Sequence, residues 1–176
     1  MARIWLENEG LLIPNPQQGG NRNLVAISRR GAQFLEQNSP KLYKATSLLP
    51  KKVLDPTLAA RVRPTFLAGE YDTAVFAAFK EVEVRVRTYA RLPAESIGTR
   101  LMRAAFHPDT DPLRDQTATQ PEQQATAHLF AGAIGLFKNP GSHRPVDYAE
   151  PDEPAELILF ANTLLRILER QRPSSS

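Results

Sequence analysis

The clearest periodicity in the chain lies between residues 71 and 91, where Val75, Phe79, Val82, Val86 and Tyr89 recur at steps of four, three, four and three. That spacing gathers them on one face of an α-helix, with Phe76 and Glu83, seven apart, at the edge of the stripe. Asp72 or Thr73 is placed to cap it, and "RLP" to end it. A second helix is expected from Asp55, an N-cap before Pro56, to Gly69, with Leu58, Val62, Phe66 and Leu67 on one face and Pro64 as a candidate kink. A third, over 96–106, presents Ile97, Leu101, Met102 and Phe106. "HPDTDPLRDQTATQP" then reads as an irregular, proline-punctuated loop. The helix over 122–137 is apolar on most sides, which predicts deep burial, and its Ala131, Gly132 and Gly135 fall on one side with His128, where another helix can approach closely. The last helix follows "EPDEP" and runs through Leu157, Phe160, Leu164, Leu165 and Leu168 to Arg172.

The front of the chain follows a different pattern. A short helix ending at Gly10, a Pro/Gln/Gly/Asn loop, a strand-like "NLVAIS" and a helix capped by Ser28 succeed one another within residues 1–37. This order resembles the second half of a winged helix-turn-helix, with 3–12 as recognition helix and 17–22 at the wing tip. The two helices that precede it in such domains are missing, so Ile4, Leu11, Val25 and Ile27 lack a core to enter. Residues 38–54 carry two prolines and four lysines with little periodicity and read as a linker. The expected architecture is therefore all-α: a helical bundle over 55–176, the linker, and a partial winged-helix segment over 1–37.

Charge sharpens this division. Residues 1–63 hold ten Lys/Arg against four Asp/Glu, and 64–176 hold twelve against fifteen, which gives +6 and −3 and sums to the overall +3. A polyanion attracted by charge alone would meet the first third. Cysteine is absent and there are three histidines, so no disulfide framework or thiolate metal site is available and a tight zinc site is not expected. Acids in "MARIWLENEG" stand where a signal peptide needs an apolar run, and no stretch is apolar for about 20 residues, so a cytoplasmic protein is expected.

Candidate chemistry concentrates in "FKNPGSHRP", 137–145. Pro140 ends the preceding helix within a residue or two, which puts Lys138 on its last turn. One reading is a helix stop: a cation complements the negative terminus and Gly141 takes a left-handed turn. The other is a site. The forced turn can fold Lys138 and His143 toward one point, pairing a proton-transfer group with a fixed cation beside a phosphate. RNA supplies its own nucleophile, the 2′-hydroxyl, so such a site needs neither metal nor cofactor.

With "FLAGEYDTAVFAAFKEVEVRVR", "GTRLMRAAFHPDTDPL" and "LFAGAIGLFKNPGSHRPVDY", the chain resembles the Ymh family of bacterial, often prophage-borne proteins over roughly 48–170. Through that family it resembles the HEPN superfamily of helical domains, many of them metal-independent endoribonucleases of toxin–antitoxin, abortive-infection and CRISPR-linked systems. That resemblance implies a homodimer whose paired motifs share a groove that takes RNA. The superfamily motif is an arginine, a polar residue and a histidine at a helix end, and it falls here on Lys138, Asn139 and His143, with Ser142 and Arg144 as substrate contacts. Lysine in the arginine position keeps the charge and loses the planar fork. Either it works as a point charge, or Arg144 supplies the fork, or the site does not cleave RNA.

Glu83 and His128 are supporting candidates, the first as a partner for Lys138 or His143, the second more in keeping with a hydrogen-bonded core histidine. His107 is expected in solvent, and "DTD" at 109–111 lacks the glycine and terminal glutamate of a calcium loop. The alternative to an RNA-cleaving effector is a noncatalytic regulator or adaptor that binds a protein or nucleotide and is tethered to DNA through Arg22, Arg29 and Arg30.

Overall fold

A computed structural model describes residues 2–8, 10–14, 25–29, 31, 32, 35, 40–107, 113, 115, 117–138 and 146–171. They divide into two compact units, with the division after Lys44.

In the first unit, α1 (Ala2–Asn8) stops at Gly10, whose φ of 67° is the left-handed geometry that glycine adopts most cheaply. β1 (Leu12–Pro14) pairs antiparallel with β2 (Val25–Ile27), Leu12 opposite Ile27 and Ile13 opposite Ala26. The strand expected in "NLVAIS" is thus present, and the expected wing tip lies outside the described residues. The Ser28 hydroxyl accepts the Gly31 N–H at 2.8 Å and donates to the Gly10 carbonyl at 2.6 Å, so it caps the following turn as expected and ties that turn to the end of α1. A Cβ at Gly31 would sit 2.2 Å from the Leu11 carbonyl oxygen, a contact only glycine avoids. Leu11 is buried, whereas Ile4 and Ile27 stay 63% and 56% exposed.

The stretch 38–54 is not the linker its composition suggested. α2 (Pro40–Leu48) and a 3₁₀ turn (Lys51–Val53) occupy most of it, and Ala45, Leu49 and Leu54 belong to the core of the second unit. Lysines and prolines between these three conceal them in the sequence.

Asp55 caps the next segment by accepting the Thr57 N–H at 2.8 Å. The helix first widens into a π-type turn (Leu58–Val62) and then continues as α3 (Arg63–Leu67). Pro64 has no N–H and its ring collides with the carbonyl four residues back, and a widened turn before it relieves both. α4 (Tyr71–Tyr89) follows, with Val75, Phe79, Val82 and Val86 buried as the periodicity required. Neither Asp72 nor Thr73 caps it; Glu70 holds that position without a side-chain bond. Arg91, at φ 53°, makes the left-handed exit, and the Leu92 N–H returns to the Arg87 carbonyl at 3.1 Å.

α5 (Gly98–Ala105) buries Leu101, Met102 and Ala105, while Ile97 before it is 58% exposed and not part of the expected face. In the proline-rich loop, Leu113 is wholly buried. α6 (Gln120–Ala133) begins two residues before the expected start, where the Thr119 N–H donates to Glu122 Oε2 at 2.7 Å in a capping box, and it ends in a second π-type turn (Ile134–Lys138). α7 (Asp152–Arg170) opens on Asp152 and Glu153, as acids at a helix N-terminus should.

α4 is the hub: α7, α3, α5 and the π-type end of α6 all pack against it. Phe79 on α4, Phe137 at the end of α6 and Phe160 on α7 meet with ring centroids 5.3–6.2 Å apart. The expectation of deep burial for α6 does not hold. Phe130, Ala131, Ala133 and Ile134 are buried, but Leu129 is 40% and Leu136 65% exposed, because the neighbours of α6 cover a single face. Its small residues also separate: a Cβ at Gly135 would meet Thr99 Cγ2 at 3.2 Å, and one at Gly132 would meet nothing.

A polar network spans the α3–α7 side of α4. Asn162 on α7 is buried; its Oδ1 accepts the Asp55 N–H at 2.6 Å and its Nδ2 donates to the Val53 carbonyl at 3.1 Å. Arg85 on α4 grips Asp55 with both terminal nitrogens, at 2.7 and 3.2 Å, and reaches Glu81 at 2.7 Å and Glu169 at 3.4 Å. Burial pushes the Asp55 carboxyl upward, but the bonds from Arg85 and the Thr57 and Leu58 N–H groups outweigh it and hold it below its ordinary 3.8, while the same pairing raises Arg85. A depressed carboxylate contributes stability above its unfolded pKa and loses it as pH falls through the folded value. Arg85→Met, which leaves Asp55 uncompensated, is expected to cost roughly 2–3 kcal/mol at pH 7 in urea melts. The difference from the parent chain shrinks below about pH 4 as Asp55 protonates, and an equal difference at pH 7 and pH 3 would refute the pairing.

Candidate functional site

Glu83 sits on the opposite flank of α4 from Arg85 and is 4% exposed, although its neighbours along the helix gave it the look of a stripe-edge residue. A buried carboxylate needs partners, and three converge on it. The Lys138 Nζ lies 3.3 Å from Oε2, and the Gly98 N–H donates to the same oxygen at 2.7 Å. Arg87, one turn along α4, has Nη1 at 4.0 Å from Oε1 and also donates to the Ser96 carbonyl at 3.0 Å. One carboxylate therefore joins α4, the first turn of α5 and the last turn of α6.

Local sequence explains the convergence. Phe137 stacks on Phe79, which fixes the final turn of α6 against α4 and delivers the next side chain, Lys138, toward Glu83. The π-type turn inserts an extra residue just where the helix ends. Gly98, at φ 63°, takes a conformation other residues rarely adopt and so aims its N–H at the carboxylate. Lys138 is only 13% exposed at its side chain and lies 6.0 Å from the centroid of the Phe76 ring, close enough for a weak cation–π contact.

Of the residues expected to carry chemistry, the structure brings Glu83 and Lys138 together, one of the two pairings considered for Glu83. Lys138 does end its helix, on the last turn. Asn139, Ser142, His143 and Arg144 lie outside the described residues, as do Arg22 and Arg30. Arg29 is exposed. His128 is exposed on α6 and is not the core histidine its helix suggested, because that helix face lacks cover. Arg87 and Gly98 were not anticipated. The i, i+4 spacing of Glu83 and Arg87 in "EVRVR" is the signal that could have found Arg87, whereas nothing local marks the Gly98 N–H.

Two cations facing one carboxylate leave this cluster a net charge of +1 at the point where residues 139–145 begin. Such an arrangement fixes an ammonium in place at the end of α6, a position from which a cation can oppose a developing negative charge.

A family model described as "Protein of unknown function (Hypoth_ymh)" matches residues 52–168, more than half of the chain. The chain belongs to the Ymh family. No curated protein and no solved structure gives a significant match. The matched Ymh region contains Glu83, Arg87, Gly98, Lys138 and the whole of 139–145, and it excludes the first unit. No helix among the described residues is long and apolar enough to cross a membrane.

In this Ymh domain, Glu83→Leu strands both Lys138 and the Gly98 N–H and is expected to destabilise by about 3–5 kcal/mol in denaturant melts. Glu83→Gln, which keeps an acceptor for Gly98, should lose clearly less; equal losses would mean that the carboxylate charge plays no part.

Proposed function

We propose that the chain is a metal-independent endoribonuclease of the HEPN type, an effector of phage defence or of a toxin system. The observation that carries this reading is Lys138, held at the end of α6 by buried Glu83 with Arg87 beside it, immediately ahead of Asn139 and His143. In this mechanism the 2′-hydroxyl of RNA loses its proton to His143 and its oxygen attacks the adjacent phosphorus. The P–O5′ bond breaks, and the leaving oxygen takes up a proton. Products are a 2′,3′-cyclic phosphate and a 5′-hydroxyl. Lys138 opposes the charge that builds on the phosphoryl oxygens, and Asn139, Ser142 and Arg144 position the backbone. Held against Glu83, Lys138 works as a point charge, and the planar fork falls to Arg144.

The active species is a homodimer. Leu129, Gly132 and Leu136 give α6 an exposed apolar strip to set against a second copy. Incubation of RNA with the purified chain in EDTA should yield cyclic-phosphate ends, with at least a 100-fold loss in His143→Ala and a dimer by sedimentation. Equal cleavage by the two proteins would remove the histidine from the mechanism, and full activity in a monomer would remove the pairing.

A second reading, a DNA-tethered noncatalytic regulator, draws support from the helix and antiparallel strand pair of the first unit and from the Ser28 cap that follows them. It requires duplex DNA to bind at low salt and to weaken in Arg29→Ala. Indifference to that substitution would count against it.

A further inference from the structure

Asp55 and Glu169, the partners of Arg85, line an open groove of about 460 Å³ between the 3₁₀ turn and α7, together with Lys52, Arg166 and Arg170. Of its two acids, Asp55 is largely covered and Glu169 is exposed. Asp55 is gripped by both Arg85 nitrogens, and Glu169 Oε1 accepts the Tyr89 hydroxyl at 2.5 Å and lies 3.4 Å from Arg85. Its three cations are exposed. Among the described residues Lys52 and Arg170 have neither ion-pair nor hydrogen-bond partner, and Arg166 commits one amino group to the Val53 carbonyl at 2.6 Å, with its other donors unspent. The lining holds three positive and two negative groups, a net +1, and Arg85 beneath it is matched by Glu81 at 2.7 Å.

We infer that the groove lined by Lys52, Arg166 and Arg170 binds the phosphate backbone of a single RNA strand. Arg166 and Arg170 are one helical turn apart, about 6 Å along α7, which is of the order of the separation of successive phosphates on an extended strand. Lys52 stands on the opposite wall. Between them Val53 and Pro56 offer apolar contact to sugars and bases, which a free phosphate would leave unused. The site lies on the other flank of α4 from Glu83, so a strand there is held away from Lys138 and contributes affinity rather than chemistry. Lys52 belongs to the basic first third of the chain, and the fold adds Arg166 and Arg170 from the acidic remainder.

The choice of RNA rests on the ribonuclease reading, so binding is measured apart from cleavage. Fluorescence anisotropy of a labelled single-stranded RNA with full-length His143→Ala is compared with the same protein carrying Lys52→Gln and Arg170→Gln, two residues whose loss breaks no contact. Removal of two phosphate contacts is expected to flatten the plot of log affinity against log salt by about 1.4, at ~0.7 per contact on a single strand. Unchanged slope and affinity would overturn the inference. So would displacement of the RNA by millimolar inorganic phosphate, at constant ionic strength, as readily as by unlabelled RNA, since the site would then be one for free anions. A charge-dependent slope in a chain that cleaves nothing leaves this inference standing and removes the ribonuclease reading, and active cleavage with an indifferent slope does the reverse.

Discussion

A carboxylate enclosed by three helices is the constraint on which the arrangement depends. Glu83 is nearly inaccessible, and taking such a charge out of water costs several kcal/mol unless partners replace the lost solvent. Those partners arrive from α5, through the Gly98 N–H, and from α6, through Lys138. The charge therefore dictates where two other elements end and begin. Were either helix displaced by a turn, the carboxylate would be stranded.

The apolar core agrees with this arrangement. Phe137 cannot stack on Phe79 without placing Lys138 next to Glu83, so aromatic packing and the ion pair select the same register for the end of α6. α4 performs this task on both flanks. Its Glu83 flank holds a cation at the end of α6, and its Arg85 flank gathers Asp55, Glu81 and Glu169, with Asn162 satisfying the chain where it enters the second unit. On the first flank Lys138 immediately precedes the segment that carries His143; on the second the network borders an open groove with three exposed cations. On the proposed ribonuclease reading, the two flanks of one helix divide the work, one toward the chemistry and the other toward holding the strand.

Much of this was legible in the amino-acid order. The stripe from Val75 to Val86 announced α4, Asp55–Pro56 announced a capped start, and Ser28 announced the cap in the first unit, since each follows from local geometry that neighbouring residues cannot override. What escaped was set by tertiary packing. Leu49 and Leu54 are core residues among lysines and prolines, and nothing local distinguishes them from linker positions. Glu83 has the spacing of an edge residue, and only the approach of α5 and α6 closes over it. α6 reads as buried because it is apolar, yet its Leu129 and Leu136 stay exposed because one face alone is covered. Of the candidate site, Lys138 at a helix end was readable from Pro140, and its pairing with Glu83 was one of two possibilities that the sequence left open. Gly98 was not, because a backbone N–H has no signature in sequence.

The measurement that bears most directly on this account is a double-mutant cycle between Glu83→Gln and Lys138→Met, read by urea unfolding at neutral pH. If the buried carboxylate and the ammonium hold the three helices together, the two substitutions are coupled by about 1–3 kcal/mol, and the double variant is less destabilised than the sum of the singles. Additive losses, with a coupling energy near zero, would contradict it.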